Sequence, residues 1–294
     1  MLSKKIRTDL ENLFLERDRF SFNLQNELSY LKDKKILITG VAGTIGSHLL
    51  EKLSGFNVIG IDNNEYGVFK LGQKLCDINF KDDLEDLFKK YQFDIIFHAA
   101  ALKHVPLLEG LKKQAWRTNV EGTRNLIELA KKYQCRDFIF CSTDKACEPV
   151  SVMGKSKLAA EELCLSNSEI FSIKVLRFGN IIASSGSVVE TFYEHASNGE
   201  ELIITSSEME RYFITCNEAC DFILKSVAYD SGRYFLKQES ALKIIDIATK
   251  IISYLNSNSV IKIGSIREGE KLCEKFLSAN EVGKYVDIDG NIDA

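Results

Sequence analysis

From Lys34 to Phe178 the chain alternates short apolar runs with stretches of helical periodicity, and few architectures accept that rhythm. KKILIT (Lys34–Thr39), NVIGI ending at Asp62, DIIFHAA (Asp94–Ala100), RDFIFCS (Arg136–Ser142) and SIKVLRF (Ser172–Phe178) are near-continuous apolar strands. Helical patterns separate them at 44–53, 115–133 and 154–166. Strands apolar on both faces belong in a parallel sheet covered by helices on both sides, so the sequence predicts an α/β, Rossmann-type doubly wound fold.

Residues 1–33 read as a helical lead-in, 34–180 as the dinucleotide-binding domain, and 216–240 as a helix and strand returning to it. After Gly179 the pattern breaks into loops and short elements. Segments 181–215 and 241–294 are therefore expected to form a smaller substrate-binding lobe.

In ILITGVAGTIGSHLL, Gly40, Gly43 and Gly46 stand between a strand and a helix. Small residues at this spacing permit a tight turn, close approach of a pyrophosphate, and close helix–strand packing. The phosphates then meet the N-terminus of the helix beginning at Thr44 and Ile45, where unpaired N–H groups and the helix dipole favour negative charge. Asp62 ends the next strand, where a carboxylate binds the adenosine ribose hydroxyls. Its charge repels a 2′-phosphate and no arginine follows in NNEYGV, so NAD is favoured over NADP. Asp77, in LCDIN, ends a third strand within reach of an adenine edge.

A formal charge of −4 and the lack of a basic run with interleaved aromatics exclude a general nucleic-acid binder. No stretch of roughly 18 apolar residues occurs, and the charged N-terminus is not a signal peptide. A cytoplasmic protein without membrane insertion is expected. The eight cysteines form no C-x-x-C; Cys216 and Cys220 stand at helical spacing, and all read as reduced structural residues with no metal site.

TGVAGTIGS, HAAALKHVPLLE, NVEGT, STDKA, VMGKSK, RFGN, GSVV, ERYFIT and REGEKLCE together resemble the extended short-chain dehydrogenase family. More narrowly, they resemble its bacterial nucleotide-sugar 4,6-dehydratases of the polysaccharide-biosynthesis branch, from about Arg19 to Leu277. The resemblance implies cofactor contacts at Asn63, Asn64, Ile78, Ala99, Ala100, Ala101, Lys103 and Asn119. On the substrate side it implies contacts at Lys103, Asn180, Ser187, Val188, Arg211, Arg267 and Glu270, with the arginines suited to a diphosphate. At Ser185 relatives often carry arginine, so that phosphate contact is missing here. His104 reads as a structural histidine before Pro106.

Most dehydrogenases of this class carry Tyr-x-x-x-Lys on one helix face; here the spacing survives as Met153-x-x-x-Lys157. A thioether carries no proton. Either the fold is kept for binding alone, or proton transfer has moved. A branch of the 4,6-dehydratases resembles this chain in having methionine there, with Thr-Asp-Lys supplying the chemistry, and Thr143, Asp144 and Lys145 match that motif. In that reading Lys157 holds the nicotinamide ribose and Lys145, which must be neutral to act, takes the C5 proton. Asp144, which must be protonated, serves the C6 hydroxyl, and Thr143 binds the C4 hydroxyl. The resemblance thus implies a hydro-lyase using NAD, with UDP-N-acetylglucosamine as substrate, surface-glycan synthesis as context, and a homo-oligomeric state. A 4-epimerase or reductase, or a non-catalytic NAD-binding protein, are the alternatives.

Overall fold

The computed structural model describes residues 2–238 and 240–292. The strands are β1 (Lys35–Thr39), β2 (Asn57–Asp62), β3 (Lys74–Leu75), β4 (Ile95–His98), β5 (Asp137–Thr143), β6 (Ser172–Phe178), β7 (Asn180–Ile181) and β8 (Leu202–Ile204). They continue as β9 (Glu210–Arg211), β10 (Phe213–Ile214), β11 (Gly232–Leu236), β12 (Leu242–Lys243), β13 (Ile261–Ile263) and β14 (Lys284–Val286). The helices are α1 (Lys4–Phe14), α2 (Gln25–Leu31), α3 (Thr44–Lys52), α4 (Glu65–Leu71), α5 (Lys81–Tyr91) and α6 (Val105–Glu109). They continue as α7 (Lys112–Trp116), α8 (Gly122–Lys132), α9 (Val152–Leu165), α10 (Val188–Ser197), α11 (Cys216–Lys225) and α12 (Ile244–Leu255).

Eight strands form one sheet in the order β14-β11-β6-β5-β4-β1-β2-β3, and every pairing in it is parallel. The order reverses between β1 and β4, which opens a crevice at the strands' carboxyl ends. Both faces are sealed. Ile36, Ile38, Phe97 and Leu176 pack toward α3 and α11, while Leu37, Ile96, Phe138 and Val175 pack toward α5, α8 and α9. Alternate residues of each strand thus serve opposite cores, which is why the strands read as continuous apolar runs.

The expected long helix at 115–133 is not uniform. A π-helical turn at Arg117–Glu121 lies between α7 and α8. Such turns aim side chains that regular spacing would misplace, and this one holds Thr118 and Asn119.

A separate core joins α10 and α12 with Leu10 and Phe14 of α1, so the lead-in helix is part of the lobe's packing. Segment 241–294 does not belong wholly to that lobe. Its strand β14 extends the main sheet beside β11, with Val286 fully buried and Phe235 against Tyr285 at 5.4 Å. A three-residue strand flanked by polar residues carries too little periodicity to be read from sequence. Among the described residues no helix is long and apolar enough to cross a membrane.

Candidate active site

The glycine turn after β1 is shaped by contacts that leave no room for a side chain. Gly40 has φ +71°, and a Cβ there would lie 2.7 Å from the Ala100 nitrogen; at Gly46 it would lie 2.2 Å from the Gly40 carbonyl oxygen. Gly43 is the N-cap of α3 and no side chain caps that helix. The N–H groups of its first turn, at Thr44, Ile45 and Gly46, are therefore presented as an anion-binding end. The Asp62 carboxylate accepts from Ala42 N (3.0 Å) and Asn64 N (2.9 Å), fastening the turn to the end of β2.

A cleft runs along these strand ends, lined by Gly40, Gly43, Asp62, Asn63, Asp77, Ile78 and Ala99–Ala101. Ile61, Cys76, Leu102 and Thr118 line it too. Sequence reasoning missed those four, although Ile61 and Cys76 adjoin predicted positions. Asp77 is oriented by Asn79, whose backbone and amide nitrogens donate to Oδ1 at 2.9 and 2.7 Å.

Two expected cofactor residues have other duties. Asn64 caps α4, accepting from Gly67 N at 2.9 Å. Asn119 is buried. Its amide accepts from Leu102 N (2.8 Å) and donates to the Leu102 carbonyl (3.0 Å) and to Ser156 Oγ (2.9 Å). It shapes the loop that lines the cleft rather than presenting a group to it. A buried amide facing backbone on one side and a helix on the other fixes a loop's path, and family position alone does not reveal this.

Beyond β5, Thr143 passes into a short 3₁₀ turn, Asp144–Ala146. Thr143 Oγ1 donates to Asp144 Oδ1 (2.9 Å), and Lys145 Nζ donates to the same oxygen (3.0 Å) and to Asn180 Oδ1 (2.8 Å). Asp144 is fully buried, and its Oδ2 has no hydrogen-bond partner among the described residues. A sealed carboxyl oxygen without a partner is an unmet polar group inside the protein.

The turn is braced from below. Ser142 Oγ donates to Glu161, which also binds Arg177 (2.6 and 2.8 Å) and Arg233 (3.0 Å). Arg177 also holds Glu281, whose carboxyl, raised by burial, is nonetheless brought down to about 2 by these bonds. An Arg inside the apolar run SIKVLRF was the one sequence sign of this network.

On α9, Met153 is buried among Leu108, Ala115, Val105, Leu111 and Val152. The Lys157 amine donates to the Cys141 carbonyl at 2.7 Å and lies 3.9 Å from the centroid of the Phe140 ring; burial pulls its pKa down to about 8. The two side chains share a helix and meet different neighbours. Gly154, between them, lets α9 approach the turn, since a Cβ there would lie 2.3 Å from the Lys145 carbonyl oxygen.

On the substrate side, Lys103 is exposed and His104 packs against Gly186, where a Cβ would meet the imidazole at 2.4 Å. Ser185 N donates to Thr44 Oγ1 (3.1 Å), which joins this loop to the glycine turn. Ser187 caps α10, which begins at Val188, and its own N–H donates to the Ser184 carbonyl at 2.9 Å. Arg267 is exposed, on a turn closed by Glu270 Oε2 accepting from Arg267 N at 3.0 Å. That turn sits on the start of α9: at Gly269 (φ +80°) a Cβ would lie 2.5 Å from Glu109 Oε1 and 3.0 Å from Ser151 Cβ.

Arg211 departs from expectation. It is buried and donates to the carbonyls of Glu210 (2.7 Å), Leu272 (2.9 Å) and Lys271 (2.8 Å). Residues 271–272 lie outside regular structure, so their carbonyls need donors, and the guanidinium supplies them.

Residues 36–293 match the family described as polysaccharide biosynthesis protein. The chain is 32% identical to the probable polysaccharide biosynthesis protein EpsC of Bacillus subtilis over 86% of its length, and spans about half of that protein (46%). It is 33% identical to UDP-N-acetylglucosamine 4,6-dehydratase (inverting) of Campylobacter jejuni, covering 84% of this chain and 78% of that one. It is 30% identical to UDP-glucose 4-epimerase of Rickettsia typhi, covering 88% and 82%. Among solved structures, Pen from Bacillus thuringiensis superposes with a TM-score of 0.81 at 27% identity, covering 86% and 85%. The chain therefore belongs to the polysaccharide biosynthesis protein family, a branch of the extended short-chain dehydrogenases with nucleotide-sugar dehydratases and epimerases among its relatives.

Proposed function

We propose that this chain is an NAD-dependent nucleotide-sugar 4,6-dehydratase acting on UDP-N-acetylglucosamine and feeding surface-glycan synthesis. One observation carries the reading: a hydrogen-bonded Asp144–Lys145 pair at the carboxyl end of β5, facing a helix with Met153 in place of a proton-carrying tyrosine. An epimerase or reductase relying on that tyrosine lacks its catalyst here, and has no need of an adjacent acid and base.

The crevice fits a dinucleotide. Gly40 and Gly46 leave a cradle that a Cβ would fill, α3 presents an uncapped N-terminus, and Asp62 ends β2 bonded to the same turn. Gly40–Gly46 would hold the pyrophosphate, Asp62 the adenosine ribose and Asp77 with Ile78 the adenine. Bound there, NAD supplies reversible hydride acceptance, from C4 at the start and returned to C6 at the end.

The residues do the proton work. Thr143 holds the C4 hydroxyl. With a ketone at C4 the neighbouring C5 proton becomes acidic, and Lys145, as the neutral amine, takes it. Asp144, protonated, gives its proton to the C6 hydroxyl, which departs as water. The pair ends as ammonium and carboxylate, and a proton crossing their 3.0 Å hydrogen bond restores both working forms. No second substrate is needed. In this reading the cofactor unit comprises 34–180, 216–240 and β14, and the substrate lobe comprises 181–215 with the rest of 241–294.

The test is incubation of purified protein with UDP-N-acetylglucosamine and NAD, with products followed by NMR. A 4-keto-6-deoxy sugar supports the proposal; a C4 epimer or unchanged substrate refutes it. Lys145→Ala is expected to abolish dehydration while NAD still binds.

A further inference from the structure

Asn180 follows β6 and Gly179 and opens β7, whose pairing with β10 begins the substrate lobe. Its backbone N–H donates to the Tyr212 carbonyl at 2.8 Å, which fixes its main chain. The side chain has two ends. Oδ1 accepts from Lys145 Nζ at 2.8 Å, while Nδ2 has no hydrogen-bond partner among the described residues and belongs to a half-buried residue beside the catalytic turn.

We propose that Asn180 is a bridge: Nδ2 donates to an oxygen of the incoming sugar nucleotide while Oδ1 aims the Lys145 amine at C5. Substrate docking and placement of the base are then one event. This rests on the dehydratase reading and goes beyond it, since a residue serving only as a substrate contact has no reason to hold the base.

The surroundings of Lys145 make the bridge measurable. The charged group in contact with it is Asp144 on its own turn, while the Lys157 amine of α9 is held by the Cys141 carbonyl. From the lobe, Lys271 donates to the Cys147 carbonyl and pairs with Glu274. Among the described residues, the hydrogen bond to Lys145 Nζ from β7 is that of the neutral Asn180 oxygen. An acceptor at that place favours the ammonium form over the amine, and a carboxylate favours it more.

The experiment measures kcat and KM for UDP-N-acetylglucosamine across pH 6 to 10 in the full chain, Asn180→Ala and Asn180→Asp, with NAD binding as the check on folding. Because the pair works with one proton shared between Asp144 and Lys145, kcat falls as pH rises through the loss of that proton. Loss of the acceptor in Asn180→Ala is expected to move that limb to lower pH by about half a unit, and the added charge in Asn180→Asp to move it higher by about one unit. Both variants are expected to raise KM by about tenfold through loss of the Nδ2 donor. If Asn180→Ala does not bind NAD, the near-isosteric Asn180→Asp carries the test alone. A change in KM with an unmoved kcat limb in a parent enzyme that dehydrates its substrate overturns the bridge and leaves the dehydratase reading standing. A parent that performs no dehydration overturns both.

Discussion

Gly154→Ala is the substitution whose effect is most tightly set by the geometry. An alanine is the better helix former by up to about 1 kcal/mol, so on propensity alone the variant gains stability. Its Cβ, however, would lie 2.3 Å from the Lys145 carbonyl oxygen, with Pro149 Cβ and Ser151 Oγ both at 3.1 Å. The obstacle at 2.3 Å is backbone, not the tip of a flexible side chain. Ordinary contact requires α9 and the Thr143–Lys145 turn to separate by about 1 Å, a shift that overpacked sites accept at roughly 1–3 kcal/mol. The opposing contributions leave the variant less stable by roughly 0–2 kcal/mol. Chemistry is less forgiving, because a 1 Å displacement of a catalytic group costs on the order of a hundredfold in rate. We therefore expect kcat to fall about a hundredfold, equivalent to about 2.7 kcal/mol of barrier. NAD affinity should hold, because the glycine cradle lies on β1 and α3. Steady-state kinetics, NAD fluorescence titration and a thermal melt measure all three. Turnover within about threefold of the parent would show that close approach of α9 to the turn is not what places the catalytic pair.

Three further outcomes are expected. Met153→Ala, which opens a cavity beside Leu108 and Ala115, should lower kcat far less than the thousandfold or so that losing an acid–base catalyst costs; a larger loss in steady-state kinetics would return the proton chemistry to α9. Lys157 is held at about 8 in the folded protein against 10.5 when exposed, so between those values the unfolded chain binds more protons and the parent gains stability as pH rises. Lys157→Met lacks that gain, so denaturant melts at pH 7 and pH 10 should show the balance shifting toward the variant at the lower pH, and no such shift would contradict a buried, titrating amine. Asp62→Asn keeps an acceptor but removes the charge facing the adenosine ribose, and should narrow the preference for NAD over NADP by about tenfold, the effect of about 1.4 kcal/mol of lost repulsion; an unchanged ratio of dissociation constants would place the cofactor's ribose elsewhere.

What could be read from the sequence follows what a local pattern can carry. The strand ends were legible because apolar runs and glycine spacing fix them. Gly40, Asp62, Asp77, Ala99, Asp144 and Asn180 all lie at the carboxyl edge of the sheet or just beyond it. The direction of a side chain's hydrogen bonds was not legible. Arg211 and Arg267 looked equivalent as diphosphate donors, yet one is consumed by three backbone carbonyls and the other stands in solvent. Asn119 looked like a cofactor contact because its partners, Leu102 and Ser156, are 17 and 37 residues away. The same distance hides the brace beneath the catalytic turn: Glu161 meets Arg177 and Arg233, 16 and 72 residues on, and no period in the chain signals that meeting.

That brace bears on why proton transfer can leave α9 at all. A tyrosine on a helix is an acid–base group whose position the helix supplies; a turn of three residues has no such rigidity of its own. Here the rigidity comes from outside. Ser142 is held by Glu161, Lys145 by Asn180 at the start of β7, and the turn's carbonyl has Gly154 pressed against it. Thr143 and Lys145 share one oxygen of Asp144, and the other is buried without a partner among the described residues. With the turn fixed on three sides, the helix position is free to become apolar, and Met153 fills it as packing. The chemistry asks less of that helix position than of the glycine beside it.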